Sequence, residues 1–356
     1  MPRPIRATIS RAALAHNLTV AKRHAGRAKV WAVTKANAYG HGIERAARAF
    51  EAADGFAVLD FAEAERLRHA GVTKPILMLE GFFEPADIDL VSRHALTPVI
   101  HSAEQVKMLE RATLAAEVDV YLKVNTGMNR LGFTEAELGP AYKALRKHPK
   151  VRHITFMTHF ADADGASGVA AQLAWFDALT KPFEAQARCV ANSAALMRFP
   201  EARADWVRPG IMLYGSSPFA DKSAEDLGLK PAMTLTSQII GIQKLERGDR
   251  IGYGFAYEAS GPMTVAIVAC GYADGYPRHA ASGTPVLVNG KRTRLVGRVS
   301  MDMISVDISG MKDARIGTAV TLWGEGLPAD EVGAAAGTLS YELFTKLTAR
   351  VPVIEA

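Results

Sequence analysis

Val33-Thr34-Lys35-Ala36-Asn37-Ala38-Tyr39-Gly40-His41-Gly42 ends an apolar run (Val30, Trp31, Ala32, Val33) with a lysine and then with small, turn-forming residues. Such a run reads as a buried strand that leaves the core through a loop. At the end of that strand Lys35 loses hydration, which lowers the pKa of its ammonium and frees the amine as a nucleophile toward carbonyls, the requirement of Schiff-base chemistry. Tyr39 offers a hydroxyl to the same loop, and Gly40 and Gly42 let backbone approach a ligand closely. A strand-capping lysine on an ordinary βα turn has the same local sequence, so the surroundings must decide.

Outward from this stretch the pattern repeats. Short apolar runs at 29–34, 55–59, 75–79, 95–100, 117–124, 151–158, 187–191 and 205–207 are each followed by a helix-like or turn segment. These eight repeats predict an α/β fold, a TIM-type (β/α)8 barrel, for which about 250 residues is typical. A doubly wound open sheet is the competing layout. Upstream, Ser10 to Gly26 reads as a helix, with Ser10 as N-cap, Leu14 and Leu18 one turn apart and Gly26 as the stop. After about residue 228 long alternating runs appear at 233–245, 262–270, 285–289, 292–308 and 318–323, with Asn289-Gly290 as a type I′ hairpin signal. A C-terminal, mostly antiparallel β domain follows, closed by short helices near 329–336 and 340–347. The barrel is expected over 10–228 and the β domain over 229–356, with residues 1–9 free to join the latter.

Composition narrows the function. The 356 residues are 49% hydrophobic and 22% charged, enough for a normal core and suggestive of two domains. The net charge of +5 is spread along the chain with acids between the bases, which reads as a mildly basic surface and gives no nucleic-acid block. Cys189 and Cys270 have no metal or disulfide spacing and read as buried thiols of a reducing compartment; no metal is expected. The N-terminus lacks an apolar leader core and no later run is long enough to span a bilayer. A cytoplasmic protein without membrane association is expected, provided no leader has been removed.

Barrel active sites lie at the C-terminal ends of the strands. There the sequence places Lys35 and Tyr39 after the first run, Lys123 and then Arg130 after the fifth, His159 after the sixth, Asn192 and Ser193 after the seventh, and Arg208, Gly210 and Ile211 after the eighth. Singly each has an ordinary reading: a satisfied histidine, or an Asn-Ser N-cap. Together, Ser193 and the amides of Gly210 and Ile211 suit a phosphate at the seventh and eighth strands. A nucleophilic lysine, a phosphate cup and an arginine beside it describe a pyridoxal 5′-phosphate site, and no dinucleotide fingerprint or P-loop competes.

The sequence resembles the alanine racemase family over nearly its whole length. The resemblance is carried by V-T-K-A-N-A-Y-G-H-G at 33–42, K-V-N-T-G-M-N-R-L-G at 123–132, T-H-F at 158–160, N-S-A at 192–194, R-P-G-I-M-L-Y-G at 208–215, I-G-Y-G-F-A-Y at 251–257, G-Y-A-D-G-Y at 271–276 and S-M-D-M at 300–303. It implies a racemase that interconverts L- and D-alanine by two bases and supplies D-alanine for peptidoglycan. Lys35 would hold the cofactor covalently and serve the D-alanine face, while Tyr253 of a neighbouring protomer would serve the L-alanine face. Tyr39, Ser193, Gly210 and Ile211 would bind the phosphate, with Asn192 and His159 in the same cofactor shell. Arg208 would face the pyridine nitrogen, where a permanently charged guanidinium disfavours ring protonation and weakens the electron sink.

By the same resemblance Arg130 would contact the cofactor's phenolic oxygen and orient the substrate carboxylate, Lys123 matches a lysine carbamylated in some relatives, and a chain from Tyr253 through His159 to Arg208 would assist the phenol. Tyr272, Met301 and Asp302 would wall the substrate pocket, also from the neighbour, so a homodimer is expected. One position departs: Ala349 stands where many relatives carry a tyrosine near the phosphate and access corridor, which puts phosphate grip and size limit in question. The alternatives are a broad-spectrum racemase, a non-catalytic pyridoxal phosphate carrier that lacks the β domain, and a barrel decarboxylase with a different second-domain base.

Overall fold

In the computed structural model, residues 3–183 and 186–356 are described; residues 1 and 2 of the expected 1–9 segment lie outside them. The chain opens with β1 (Arg6–Ile9) and a helix, Arg11–Ala25, whose Ala13 amide donates to Ser10 Oγ at 3.2 Å and which stops at Gly26. The eight apolar runs then become β2 (Lys29–Val33), β3 (Gly55–Val58), β4 (Ile76–Met78), β5 (Leu96–Ile100), β6 (Val118–Lys123), β7 (Val151–Met157), β8 (Ala187–Cys189) and β9 (Trp206–Val207). They form a closed parallel barrel. Closure is made by β2 against β9, Lys29 opposite Trp206 and Val30 opposite Val207, which rules out the open doubly wound layout. Inside it, Trp31 stacks on Trp206 with ring centroids 4.3 Å apart and donates its indole N–H to Tyr121 Oη at 2.9 Å. The indole nitrogen thus enters the core without losing a hydrogen bond.

The remaining strands are β10 (Met233–Leu245), β11 (Arg250–Ile251), β12 (Tyr257–Glu258), β13 (Met263–Val268), β14 (Pro285–Val288), β15 (Lys291–Arg294), β16 (Ile304–Asp307), β17 (Ala319–Trp323) and β18 (Val353–Glu355). The large sheet runs β15-β14-β17-β10-β1-β18, with β13 on β10 and β16 on β13. It is antiparallel except for β1 with β18. Because β1 pairs with β10, Arg6–Ile9 lies in this sheet and not in the barrel. At the hairpin, Asn289 and Gly290 both take positive φ, 47° and 74°, as a type I′ turn requires.

One expected strand is divided. The run 292–308 alternates like a single strand, and Val296 and Val299 are indeed buried. Gly297, however, turns at φ 76°, and the Ser300 amide donates to the Met303 carbonyl at 3.0 Å. Leu295 still bridges to Val306, and a loop at 297–303 then separates β15 from β16 and presents Met301 and Asp302. Apolar patterning cannot distinguish such a loop from a strand, since only pairing partners do. Among the described residues no helix is long and apolar enough to cross a membrane.

Candidate active site

Lys35 follows β2 by one residue and is half-buried. Its pKa is lowered, chiefly by desolvation and then by the Arg130 guanidinium, against the opposing pull of Glu80 and Glu63. The loop beyond it is not an irregular turn. Ala36, Asn37, Ala38 and Tyr39 all take positive φ, between 50° and 55°, a left-handed helical turn that costs L-residues roughly 1–2 kcal/mol each. Its surroundings compensate: the Asn37 amide donates to Glu63 Oε1 at 2.7 Å, and Asn37 Oδ1 accepts from the Ile43 amide at 3.1 Å and from Arg66 at 2.9 Å. Wholly buried His41 faces the carbonyls of Tyr39 and Ala38 with Nδ1 at 2.9 and 3.2 Å, so Nδ1 must carry the proton, because a carbonyl only accepts.

A cluster of cations stands at the same barrel rim. Lys123, the last residue of β6, is buried with its pKa pushed down to about 8, by desolvation first and then by Arg208 and Arg130. His159 is pushed down to about 3 by desolvation and by Arg208, Arg130, Lys123 and Lys35, and is therefore a neutral imidazole at working pH. Lys123, Arg130 and His159 line one small cleft with Thr158. Buried Arg208 donates to the carbonyls of Cys189 (2.5 Å), Thr158 (2.7 Å) and Val190 (3.2 Å) and to Cys189 Sγ at 3.1 Å. Among the described residues no hydrogen bond joins Arg208 to His159; the Arg208 charge acts on His159 by lowering its pKa. The backbone carbonyls hold the guanidinium instead.

Beside Lys35 lies a cradle. The Gly210 amide donates to Ser193 Oγ at 2.8 Å, and a Cβ on Gly210 would lie 2.6 Å from Tyr39 Oη. Burial drives the Tyr39 phenol well above its ordinary pKa, so it stays a protonated donor. Ile211 is buried and begins the 3-10 turn Ile211–Tyr214. Asn192 takes its ordinary role, its Oδ1 accepting from the Ala195 amide at 2.9 Å as the N-cap of Ser193–Arg198. Thr34 Oγ1, next to Lys35, is buried without a protein partner. An excess of positive charge, donors converging at Gly210 and an unpartnered buried hydroxyl suit a small polyanion such as pyridoxal phosphate.

The other expected site residues stand apart from this cluster, on the β domain. Tyr253 is 70% exposed on a turn bracketed by Gly252 and Gly254, and Met301 is 51% exposed. Tyr272 and Met301 share one structure, because the Tyr272 and Ala273 amides donate to the carbonyls of Ser300 (3.1 Å) and Met301 (3.0 Å). Asp302 Oδ1 accepts from Arg350 at 2.7 Å.

Two family models match the chain: "Alanine racemase, N-terminal domain" over residues 9–218 and "Alanine racemase, C-terminal domain" over 232–355. The chain belongs to the alanine racemase family. It is 55% identical to the alanine racemase of Bordetella petrii, with 99% of each covered, and 54% identical to that of Janthinobacterium sp., covering 100% of this chain and 99% of the relative. Among solved structures, the biosynthetic alanine racemase of Pseudomonas aeruginosa superposes with a TM-score of 0.97 at 47% identity, covering 99% of each chain. That of Acinetobacter baumannii gives 0.94 at 38%, covering 99% of this chain and 100% of that one. With both domains present, the barrel carrier without a β domain is set aside.

Within this alanine racemase fold several supporting residues went unread in the sequence. Tyr214 stacks on Tyr39 at 4.7 Å and donates its hydroxyl to the Val33 carbonyl at 2.8 Å, tying the cradle to the strand that carries the lysine. Tyr341 approaches Tyr39 from the other domain, with ring centroids 5.9 Å apart, whereas Ala349 is exposed beside Arg350. Glu80, after β4, is the acid that opposes the cations at Lys35 and Lys123. Tyr214 was visible within the R-P-G-I-M-L-Y-G block; Tyr341 and Glu80 carried no local signal.

Proposed function

We propose that this chain racemises L- and D-alanine as a homodimer, with pyridoxal 5′-phosphate held covalently on Lys35 and D-alanine destined for peptidoglycan. The observation that carries the reading is the barrel rim, where a half-buried amine of lowered pKa stands among Lys123, Arg130 and Arg208 beside the Gly210 cradle. When bound, the cofactor supplies the electron-withdrawing system that makes the substrate Cα proton acidic. Every other part belongs to the protein.

The Tyr39 hydroxyl, Ser193 Oγ and the amides of Gly210 and Ile211 would hold the phosphate. Arg208, fixed by three carbonyls, would present its charge to the cofactor ring. Arg130 orients the substrate carboxylate. Lys35 Nζ holds or releases the Cα proton on the D-alanine face, and its lowered pKa raises the fraction of neutral amine able to accept it. The phenol of the partner's Tyr253 serves the opposite face, as inversion needs a base on each side. Neutral His159 supplies an acceptor nitrogen near that phenol and adds no further charge. Lys123, largely deprotonated above about pH 8, can take up carbon dioxide as a carbamate with loss of one proton, placing an anion among the surrounding cations.

The dimer is supported by the exposure of Tyr253, Phe255 (66%), Met301 and Met303 (42%), large side chains that a second barrel rim would cover. In this reading the barrel occupies 10–228, and 229–356 with β1 forms the β domain. A cytoplasmic location is supported by the free, buried thiols of Cys189 and Cys270. The test is a chiral assay of the holoenzyme with L-alanine, D-alanine, serine, lysine and arginine. D-alanine from L-alanine at comparable forward and reverse rates is expected; preference for a long cationic side chain, or release of carbon dioxide, overturns the assignment.

A further inference from the structure

We infer that Arg3 and Arg350 are positioning residues: a two-arginine clamp that locks the loops bearing Tyr272 and Met301 into the substrate-pocket wall offered to the partner protomer. The inference rests on the racemase reading of that wall. Arg3 donates to Asp274 Oδ1 at 2.5 Å and to the Asp302 carbonyl at 2.6 Å. Arg350 stands 3.5 Å from the same Asp274 oxygen through Nε and donates to Asp302 Oδ1 at 2.7 Å. Each guanidinium therefore spans two loops, one point on residue 274 and one on residue 302.

Asp274, the centre of the arrangement, is enclosed. The Asp274 side chain is 0% exposed, and its second oxygen accepts from the Gly271 amide at 2.9 Å. Thr348, two residues before Arg350, donates its hydroxyl to the Ala273 carbonyl at 2.8 Å. Gly271 has no room for a side chain, because a Cβ there would fall on the carbonyl oxygens of Ser300 and Met301. The two arginines reach this place because each lies just before one of two neighbouring parallel strands, β1 and β18, joined where the Ala7 amide donates to the Pro352 carbonyl at 2.9 Å.

Two carboxylates against two guanidiniums balance in charge, so the buried Asp274 is compensated; removal of either arginine leaves it under-compensated. Lysine could restore the charge but, as a point donor, could not bridge two loops as a planar fork does. Asp302 thus acts through Arg350, shaping the wall and leaving substrate contact to Tyr272 and the Met301 amide.

The experiment uses the holoenzyme and the variants Arg3→Gln, Arg350→Gln, the double variant and Arg350→Lys. Alanine and serine kinetics, thermal melting, cofactor absorbance and amide hydrogen exchange over 271–276 and 300–303 are measured on each. In the double variant the KM for alanine is expected to rise roughly tenfold with kcat changed less than about twofold, and the preference for alanine over serine to fall. Exchange should accelerate most in those two segments, melting should fall because the buried Asp274 loses its counter-charges, cofactor absorbance should stay close to wild type, and Arg350→Lys should retain most of the single-variant defect. Unchanged KM and exchange overturn the clamp, as does full rescue by lysine, which would mean that charge alone matters. Parallel collapse of melting temperature, cofactor retention and kcat would assign the arginines to general stability and also overturn it. If the wild-type protein racemises nothing, the reaction assignment fails by itself, and the exchange data still decide whether the arginines hold the loops.

Discussion

Replacement of Gly210 by alanine tests the cradle most directly. The added Cβ would stand 2.6 Å from Tyr39 Oη and 3.3 Å from Cζ, where ordinary contact begins near 3.4 Å. The phenol oxygen must retreat by about 0.8 Å, an overlap on the steep side of the van der Waals well. Tyr39 has little freedom to do so: it is 7% exposed, stacked on Tyr214 and flanked by Tyr341. Overpacking of this kind costs about 1–3 kcal/mol. In the apo-protein part of the strain relaxes as the ring shifts, but a bound phosphate needs Oη and the residue 210 amide in register, so the cost falls on binding. Cofactor affinity should fall by roughly 10- to 100-fold. The assay is titration of the apo-protein with pyridoxal phosphate, followed by absorbance, alongside thermal melting. Gly210→Ala combined with Tyr39→Phe removes the clashing oxygen and should lose less than the sum of the single losses. An unchanged dissociation constant for Gly210→Ala, or strictly additive losses, would refute the reasoning.

Further outcomes are expected. Lys35→Ala should abolish the borohydride-reducible visible absorbance together with activity; an intact band would place the cofactor on another lysine. Tyr253→Phe should lower the racemisation rate by roughly 10²- to 10⁴-fold with cofactor still bound, and near-normal turnover would contradict a two-base scheme. His41, wholly buried, has its pKa pushed down to about 4 from an ordinary 6.5. Between those values the unfolded chain binds a proton that the folded chain refuses, so its contribution is complete above pH 6.5 and is lost as pH falls toward 4, by up to about 3 kcal/mol. Calorimetric melting should decline over that window and do so less steeply in His41→Asn; parallel slopes would exclude His41 as a source. Cys189 and Cys270 are free and buried, so a thiol reagent should label neither until the protein unfolds, and one rapid thiol in the native state would contradict their placement.

Much of the architecture could be read along the chain. Eight apolar runs separated by helical segments, the Ser10 and Gly26 helix stops, and Asn289-Gly290 are local signals; the helix stops and the turn close their hydrogen bonds locally, whereas the runs become strands by pairing with one another. The run 292–308 departs from a single strand because its middle, 297–303, leaves the ladder and buries Val299 in a loop. At the site, residue types at the strand ends point to Lys35, Tyr39, Lys123, Arg130, His159, Ser193 and Arg208 as candidates.

By itself, then, the sequence determined which residues carry reactive groups, where strands and turns fall, and which family motif orders them, since these depend on neighbours within a few positions. Tertiary structure alone decided the environment of those groups. Closure of β2 on β9 brings the ends of the barrel region together, desolvation by distant elements lowers Lys35, Lys123 and His159, and Glu63, Arg66 and His41 hold four residues in a left-handed turn that their side chains do not favour. Arg3 and Arg350, at opposite ends of the chain, meet on Asp274 because two parallel strands deliver them there. Burial and long-range electrostatics depend on what the folded chain packs around a side chain, and no local stretch of sequence contains that information.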